Sequence, residues 1–252
     1  CAIGNRSVDM LFEGLRAMGA SITIEHGYIR AECEGQLHGA EIYHDSVSVG
    51  ATENLMMAAC LARGQTVIHN AAREPEIVDL GECLIRWGAE VKGLGSSKLV
   101  IEGVKTLSGG FHRVIPDRIE AGTFMTAVTA TGGRIKLANA DPSHLYAVMK
   151  KLRDTGAKIT SNRNSIQIEM SGKKSKAVDI KTAPYPGLPT DMQALFTALS
   201  TISVGTCFLE ETIFENRFMH VQELKRMGAD ISVKDNIARV VGIQNLYGAE
   251  VM

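Results

Sequence analysis

Aromatic residues, cysteines and long apolar segments are all scarce in this chain of 252 residues. Aromatic residues make up 5% of the sequence, so the core must be built from aliphatic side chains, alanine and methionine. The five cysteines are odd in number and form no C-x-x-C pair, which argues against a disulfide framework or a zinc site and favours a reducing cytoplasm. Cys33, Cys60, Cys83 and Cys207 lie in strand-like or helix-like apolar patterns and are predicted to be core residues. No apolar run approaches the length of about 18 residues that predicts a membrane-spanning helix.

A large net charge and the common phosphate-binding motifs are also absent. The formal net charge of −1 gives no electrostatic reason to expect nucleic acid or an anionic membrane surface as a partner. Neither G-x-G-x-x-G nor G-x-x-x-x-G-K-[ST] occurs, which argues against the nucleotide-cofactor and ATPase classes. The seven histidines show no H-x-x-x-H spacing, so the sequence gives no support for a metal site.

The sequence does contain an internal repeat. A helix-like stretch that ends in Gly-Ala and leads into an alternating strand occurs four times at nearly even spacing. A steady period of about 70 residues indicates one supersecondary unit copied along the chain. Each unit is predicted to alternate helices and strands, which gives an α/β protein with mixed sheets. The four pairs are Gly19-Ala20, Gly88-Ala89, Gly156-Ala157 and Gly228-Ala229.

Three aspartates follow the same repeat. Asp45, Asp117 and Asp191 each stand just before the second helix of a unit, and they recur with nearly the same period as the Gly-Ala pairs. Pro189 predicts an extended backbone ahead of Asp191, so that its carboxylate lies at a helix start, where the helix dipole favours the ionised form. Such a carboxylate can act as a general base, but periodicity alone equally predicts an ordinary helix cap in all three units.

Two further segments could carry chemistry. In the segment 1–9, the Cys1 thiol precedes Arg6 by five residues, and that cation together with the following helix start could activate it as an acid, base or nucleophile. The plainer interpretation is that Cys1 is only where the chain was cut. Arg217 stands between a strand and a helix, where it could recognise phosphate or carboxylate, or pair locally with Glu215.

Six motifs, in one order and spread from end to end, resemble the UDP-N-acetylglucosamine enolpyruvyl (1-carboxyvinyl) transferases. The matching stretches are C-A-I-G-N-R-S-V-D (1–9), S-V-G-A-T-E-N-L-M (48–56), N-A-A-R-E-P-E-I-V-D-L (70–80), I-P-D-R-I-E-A-G-T-F (115–124), L-P-T-D-M-Q-A (188–194) and E-N-R-F-M-H (215–220). The resemblance implies the inside-out α/β barrel fold, with two domains that each contain up to three copies of the repeated unit.

The resemblance also implies an activity, a set of site residues, and no need for a metal or organic cofactor. The reaction moves the enolpyruvyl group of phosphoenolpyruvate onto UDP-N-acetylglucosamine and releases phosphate, as the first committed step of peptidoglycan synthesis. The implied catalytic residues are Cys1, which protonates the enolpyruvyl methylene and is the target of fosfomycin, and Asp191, which takes the proton from the sugar hydroxyl. The implied substrate-binding residues are Arg6, Ser7, Val8, Asp9, Met10, Ser46, Val47, Ser48, Val49, Asp191 and Ile213. Ser46 departs from the lysine that is common in the family, so its contact is the weakest of these.

The resemblance further predicts that the chain lacks N-terminal and C-terminal parts of the enzyme. Residues 1–115 would form a partial first domain and 116–252 a partial second domain, with the crossover near 113–116. Because substrate-binding residues of the missing parts would be absent, we expect the 252-residue chain alone to be inactive or nearly so. The sequence does not predict an oligomeric state.

Two alternatives remain open at this point. The shikimate-pathway enolpyruvyl transferase shares the repeat fold, although its small acceptor has no use for a uridine-binding segment. A non-catalytic repeat module that binds a ligand or partner belongs to a different class. Fosfomycin adduction at Cys1 would distinguish a formed reactive loop from such a passive module.

Overall fold

A computed structural model describes residues 8–172 and 174–251 of the chain. The predicted site residues Cys1, Arg6 and Ser7 lie outside the described residues. The described chain divides into two compact units, 8–115 and 116–251. Each unit combines helices with sheets, and each contains one mixed sheet of parallel and antiparallel pairs, as the repeat predicts.

The unit 8–115 contains three helices and six strands. Its elements in chain order are α1 (Asp9–Ala17), β1 (Ser21–Glu25), β2 (Tyr28–Glu32), β3 (Glu41–Tyr43), α2 (Val49–Cys60), β4 (Gln65–His69), α3 (Pro75–Arg86), β5 (Glu90–Lys92) and β6 (Lys98–Glu102). The β1–β2 hairpin forms a two-stranded sheet, and the other strands form a four-stranded sheet in the order β3-β4-β6-β5.

The unit 116–251 contains four α-helices, seven strands and two short 3-10 turns at Pro142–Leu145 and Thr190–Met192. The other elements are α4 (Arg118–Thr131), β7 (Gly133–Ala138), α5 (Tyr146–Asp154), β8 (Lys158–Asn162), β9 (Ser165–Met170), β10 (Ile180–Lys181), α6 (Gln193–Thr201), β11 (Thr206–Glu210), α7 (His220–Arg226), β12 (Asp230–Lys234) and β13 (Ile237–Val241). The sheets have the orders β7-β9-β8 and β10-β11-β13-β12.

The two four-stranded sheets have the same topology. In each, a short edge strand runs parallel to its neighbour, and the remaining pairs are antiparallel. A strand, a helix and a hairpin therefore follow one another in the same way in both units. This match is what a duplicated folding unit predicts.

Two glycines show the repeat at the level of single atoms. A Cβ on Gly103 would overlap the backbone carbonyl oxygen of Ala62, and a Cβ on Gly242 would overlap that of Ser203. Each glycine also donates its N–H to the carbonyl two residues beyond that oxygen, at 3.0 and 2.9 Å. The end of the hairpin thus lies against the helix–strand turn so closely that only glycine fits.

The cores are aliphatic, as the scarcity of aromatics predicts. In the unit 8–115, Leu55 and Met56 on α2 are completely buried, and Met18 closes the end of α1. In the unit 116–251, the core is built around α4 and α6, with Met125 and Phe196 fully buried. The helices most hydrophobic around their whole circumference are therefore the central ones.

The predicted role of four cysteines as core residues holds only in part. Cys60 and Cys207 are completely buried, and burial raises the pKa of the Cys60 thiol to about 11 and that of Cys207 above its usual range. Cys33 is exposed, because it directly follows β2, a strand that is exposed along its whole length. The prediction for Cys33 is wrong, and Cys83 is half-buried rather than internal.

We expect Gly103→Ala to destabilise the unit 8–115 by about 1–3 kcal/mol, because the added Cβ forces the hairpin end away from the turn. Gly50→Ala is the matched control, since a Cβ there meets open space within α2 and alanine favours the helix by up to about 1 kcal/mol. Urea unfolding of both variants measures the difference. Equal urea midpoints for the two variants would show that the close approach of Gly103 to the turn does not contribute to stability.

His44 gives a second prediction, on the pH dependence of stability. It is 5% exposed, neither ring nitrogen has a hydrogen-bond partner among the described residues, and burial lowers its pKa below 6.5. The unfolded chain then binds a proton more readily, so stability is complete above about pH 6.5 and is lost as the pH falls below it. We expect His44→Met to lose less stability than the wild type between pH 7.5 and 5. Parallel curves of unfolding free energy against pH would contradict this.

Candidate functional site

The predicted binding residues of the unit 8–115 meet at the beginning of α2. Ser46, Val47 and Ser48 form the loop between β3 and α2, and Val49 is the first residue of the helix. The Ser48 hydroxyl oxygen accepts the N–H of Ala51 at 3.2 Å and so caps the helix. This cap makes α2 begin at Val49.

The first turn of α1 lies next to this loop. The Ser46 hydroxyl points at the Met10 sulfur, with 3.7 Å between Oγ and Sδ. Asp9 opens the helix, and Val8 and Asp9 are both exposed. The structure therefore brings together two predicted binding segments that are distant in sequence, the beginning of α1 and the loop 46–49. The beginning of a helix of 12 residues, with its free N–H groups, is a suitable place for a phosphate group.

The structure distinguishes the three repeated aspartates, one in the unit 8–115 and two in the unit 116–251, by the contacts of their side chains. Asp117 is a true N-cap, since its Oδ1 accepts the N–H groups of Ile119 and Glu120 at 2.7 and 3.0 Å. Asp45 is exposed and makes no hydrogen bond with the described residues, because Ser48 has taken over the capping role. The expectation that all three serve as caps is thus wrong for Asp45.

Asp191 differs from both. It lies in the 3-10 turn Thr190–Met192 just before α6, after an extended Pro189 as predicted, and makes no cap hydrogen bond. Its Oδ1 instead pairs with Nη2 of Arg217 at 2.6 Å. The Asp191 side chain is 52% exposed, so its carboxylate remains open to a ligand. Among the three repeated positions, Asp191 combines exposure with a fixed orientation.

Arg217 is held on three sides. Its guanidinium pairs with Asp191, donates from Nη1 to the Thr190 hydroxyl at 3.1 Å, and lies over the Phe214 ring at 5.4 Å from the centroid. Its side chain is only 16% exposed. The local pairing with Glu215 that the sequence allowed is not what the structure shows. The partner is a carboxylate 26 residues away.

Ile213, the last predicted binding residue, lies in the loop after β11. It is 38% exposed, and its N–H donates to Oε1 of Glu211 at 2.8 Å. Sequence reasoning did not single out Glu211 or Thr190, both of which contact the predicted site residues. The local sequence does not distinguish Glu211, because burial of a carboxylate at a strand end depends on packing against distant segments.

His220, at the beginning of α7, is also near this cluster. Its Nε2 is buried without a partner among the described residues, and burial, with a smaller contribution from the Arg217 charge, lowers its pKa. The neutral ring therefore adds no positive charge next to the guanidinium at neutral pH.

The described residues contain no group of three or more His, Cys, Asp or Glu side chains that could hold a metal ion. Within the same ranges, no helix combines the length and apolar character needed to cross a membrane.

The repeated strand–helix–hairpin units and the carboxylate before α6 are those of an enolpyruvyl transferase fold. The family model described as EPSP synthase (3-phosphoshikimate 1-carboxyvinyltransferase) matches residues 1–252, and the chain belongs to this family. Among solved structures, the enolpyruvyl transferase NikO from Streptomyces tendae has a TM-score of 0.81 and 19% identity, covering 94% of this chain and 59% of its own. An EPSP synthase from Acinetobacter baumannii has a TM-score of 0.66 and 21% identity, covering 96% and 59%. The predicted fold class is confirmed, although none of the described sheets closes into a barrel.

The chain is more similar in sequence to another group of enzymes. UDP-N-acetylglucosamine 1-carboxyvinyltransferases of Shewanella sp. (strain ANA-3) and Shewanella baltica (strain OS185) are each 56% identical to it over 252 residues. The match covers 100% of this chain and 60% of the length of each relative.

The contrast between Asp117 and Asp191 gives a prediction on stability. We expect Asp117→Ala to cost about 1 kcal/mol, because two N–H groups of α4 lose their acceptor. Asp191→Ala should cost less, since it removes a half-exposed ion pair and leaves Arg217 bonded to Thr190. Urea midpoints of the two variants decide this. An equal or larger loss for Asp191→Ala would mean that Asp191 has a mainly structural role.

Proposed function

We propose that the polypeptide containing this chain transfers the enolpyruvyl group of phosphoenolpyruvate to UDP-N-acetylglucosamine and releases phosphate. The 56% identity over all 252 residues to enzymes of that name supports this. The structural observation that carries the proposal is the ion pair of Asp191 with Arg217. It gives one repeat an exposed and oriented carboxylate at a position that Asp117 uses only to cap a helix.

In the proposed reaction, Asp191 accepts the proton of the sugar hydroxyl as its oxygen bonds to the central carbon of phosphoenolpyruvate. Cys1 supplies a proton to the methylene carbon in the same addition. Loss of phosphate and of one methyl proton then restores the double bond in the product. Arg217 holds one carboxylate oxygen of Asp191 and leaves the other free of hydrogen bonds from the described residues. A fixed base avoids the cost of orienting it in every turnover.

The proposed nucleotide-sugar contacts in the unit 8–115 come from two segments. The segment from Arg6 to Met10 would hold the nucleotide sugar, and the loop 46–49 would bind its uridine diphosphate part, where the beginning of α2 suits a phosphate group. In the unit 116–251, Ile213 is proposed as a further substrate-binding residue. We propose that the two units are the partial first and second domains, 1–115 and 116–252, of such an enzyme.

The cellular role follows from the activity. A transferase with this acceptor would serve peptidoglycan synthesis, and thereby cell shape and division, in the cytoplasm. Cys1 would be the residue that fosfomycin alkylates. Mass spectrometry after fosfomycin treatment should place the adduct on the peptide that contains Cys1.

The test uses the full-length enzyme that contains these 252 residues. We expect Asp191→Asn to lower kcat by about 100- to 10,000-fold, measured as phosphate release with both substrates, because the amide cannot accept the proton. Asp117→Asn is the matched control, since it changes the equivalent position of another repeat, and its kcat should stay within about twofold of the wild type. A fully active Asp191→Asn enzyme would exclude Asp191 as the base.

A second candidate acceptor is 3-phosphoshikimate, because the matching family model and one of the similar structures carry the EPSP synthase name. Thermal shifts of the full-length enzyme with each acceptor, followed by phosphate release, separate the two. We expect a shift and turnover with UDP-N-acetylglucosamine alone. Turnover with 3-phosphoshikimate alone would overturn the proposed function.

A further inference from the structure

Glu211 is a buried carboxylate at the point where several segments of the unit 116–251 meet. It directly follows β11 and is 2% exposed. Four donors converge on its two oxygens: to Oε1, the Thr182 hydroxyl at 3.0 Å and the N–H groups of Ile213 and Phe214 at 2.8 and 3.2 Å, and to Oε2, the Thr190 hydroxyl at 2.8 Å. The hydrogen-bonding capacity of the carboxylate is therefore well filled.

One side of this network leads to the proposed base. The Thr190 hydroxyl that donates to Glu211 also accepts from Nη1 of Arg217 at 3.1 Å. Nη2 of the same guanidinium pairs with Asp191 at 2.6 Å. The position of the Asp191 carboxylate is thus linked to a buried group through two intervening side chains.

The other side leads to the proposed nucleotide-sugar contact. The N–H groups of Ile213 and Phe214 both donate to Oε1, so Glu211 fixes the turn that presents Ile213 at the surface. Phe214 in turn lies under the Arg217 guanidinium. Both predicted site residues of this unit are therefore held by one carboxylate that is itself shielded from solvent.

Leaving a buried carboxylate without its hydrogen-bond donors costs free energy. The hydrogen bonds to Glu211 therefore stabilise the positions of the segments that supply these donors. Hydrogen bonds to a charged acceptor are about twice as strong as neutral ones. Removing the charge while keeping the shape should loosen both sides of the network at once. A general loss of packing, by contrast, is not expected to displace Asp191 and Ile213 together.

We propose that Glu211 is a positioning residue for enolpyruvyl transfer, which aligns the base Asp191 through Thr190 and Arg217 and the nucleotide-sugar contact through the Ile213 N–H. The proposal rests on the proposed function for its reaction. Glu211 is too deeply buried to touch substrate, so its effect on the rate must be exerted through these neighbours.

The test compares two nearly isosteric variants of the full-length enzyme. Glu211→Gln weakens both sides of the network, so kcat should fall roughly 10- to 100-fold and the KM for UDP-N-acetylglucosamine should rise about fivefold, since a misplacement of about 1 Å can cost about 100-fold. Thr190→Val cuts only the side that leads to Asp191. Its kcat should fall roughly tenfold, with the KM within about twofold of the wild type.

The double variant gives a further readout. Because Glu211 is proposed to act on kcat through Thr190, the kcat of Glu211→Gln/Thr190→Val should be close to that of the more impaired single variant. Multiplicative losses in kcat would indicate two independent effects and would contradict the proposed route.

Ser203→Ala is the structural control. It removes two buried hydrogen bonds of the same unit, the 2.7 Å contact with the Ser175 hydroxyl and the 2.8 Å bond to the Leu199 carbonyl, away from the 190–217 network. We expect a loss of stability with kcat and KM unchanged. If Ser203→Ala lowers kcat as much as Glu211→Gln, the effect of Glu211 is general destabilisation and the proposal is wrong.

Amide hydrogen exchange separates a failure of this proposal from a failure of the proposed function. The amides of Ile213 and Phe214 should exchange several-fold faster in Glu211→Gln than in the wild type or in Thr190→Val. Unchanged exchange overturns the positioning role whatever the reaction, and wild-type kinetics in Glu211→Gln overturns it even if exchange changes. A wild-type enzyme that releases no phosphate with UDP-N-acetylglucosamine refutes the proposed function, and exchange alone then decides whether Glu211 holds this turn.

Discussion

The ion pair of Asp191 with Arg217 is the interaction on which the functional interpretation of this chain depends. The repeat offers an aspartate at three equivalent places, and a helix start by itself makes each of them a natural cap. Arg217 draws Asp191 into a different set of contacts and keeps it exposed. A cation from a distant loop thus distinguishes one copy of a repeated element from the others.

Duplicated units can acquire distinct roles by changing few contacts. The shared sheet order and the matching glycines show how much of the scaffold the copies retain. The copies differ in the residue that caps the second helix of the unit. Ser48 caps α2, Asp117 caps α4, and no side chain caps α6. When another residue caps the helix, or when no side chain caps it, the aspartate is available for chemistry. This is a small structural change with a large functional consequence.

Much of the architecture was predictable from the sequence, because the steady repeat period and the Gly-Ala helix ends are local signals. The Asp191 position and the extended Pro189 were predictable for the same reason. Its partner Arg217 was not, since the two residues are 26 positions apart and a nearby glutamate, Glu215, offered an equally good local pairing. The buried Glu211 was missed because burial of a carboxylate depends on long-range packing. The prediction for Cys33 failed because β2 is exposed along its whole length, and the local sequence does not reveal whether other elements cover a strand.

The close approach at Gly103 and Gly242 has an evolutionary consequence. Both four-stranded sheets contain a position at which any side chain larger than hydrogen would meet a neighbouring carbonyl group. Selection must therefore preserve this glycine separately in each of these two copies, while the loops that bear the proposed chemistry are free to diverge. In such a lineage, the most slowly changing positions would reflect the origin of the fold. The faster-changing positions would reflect the function of each member.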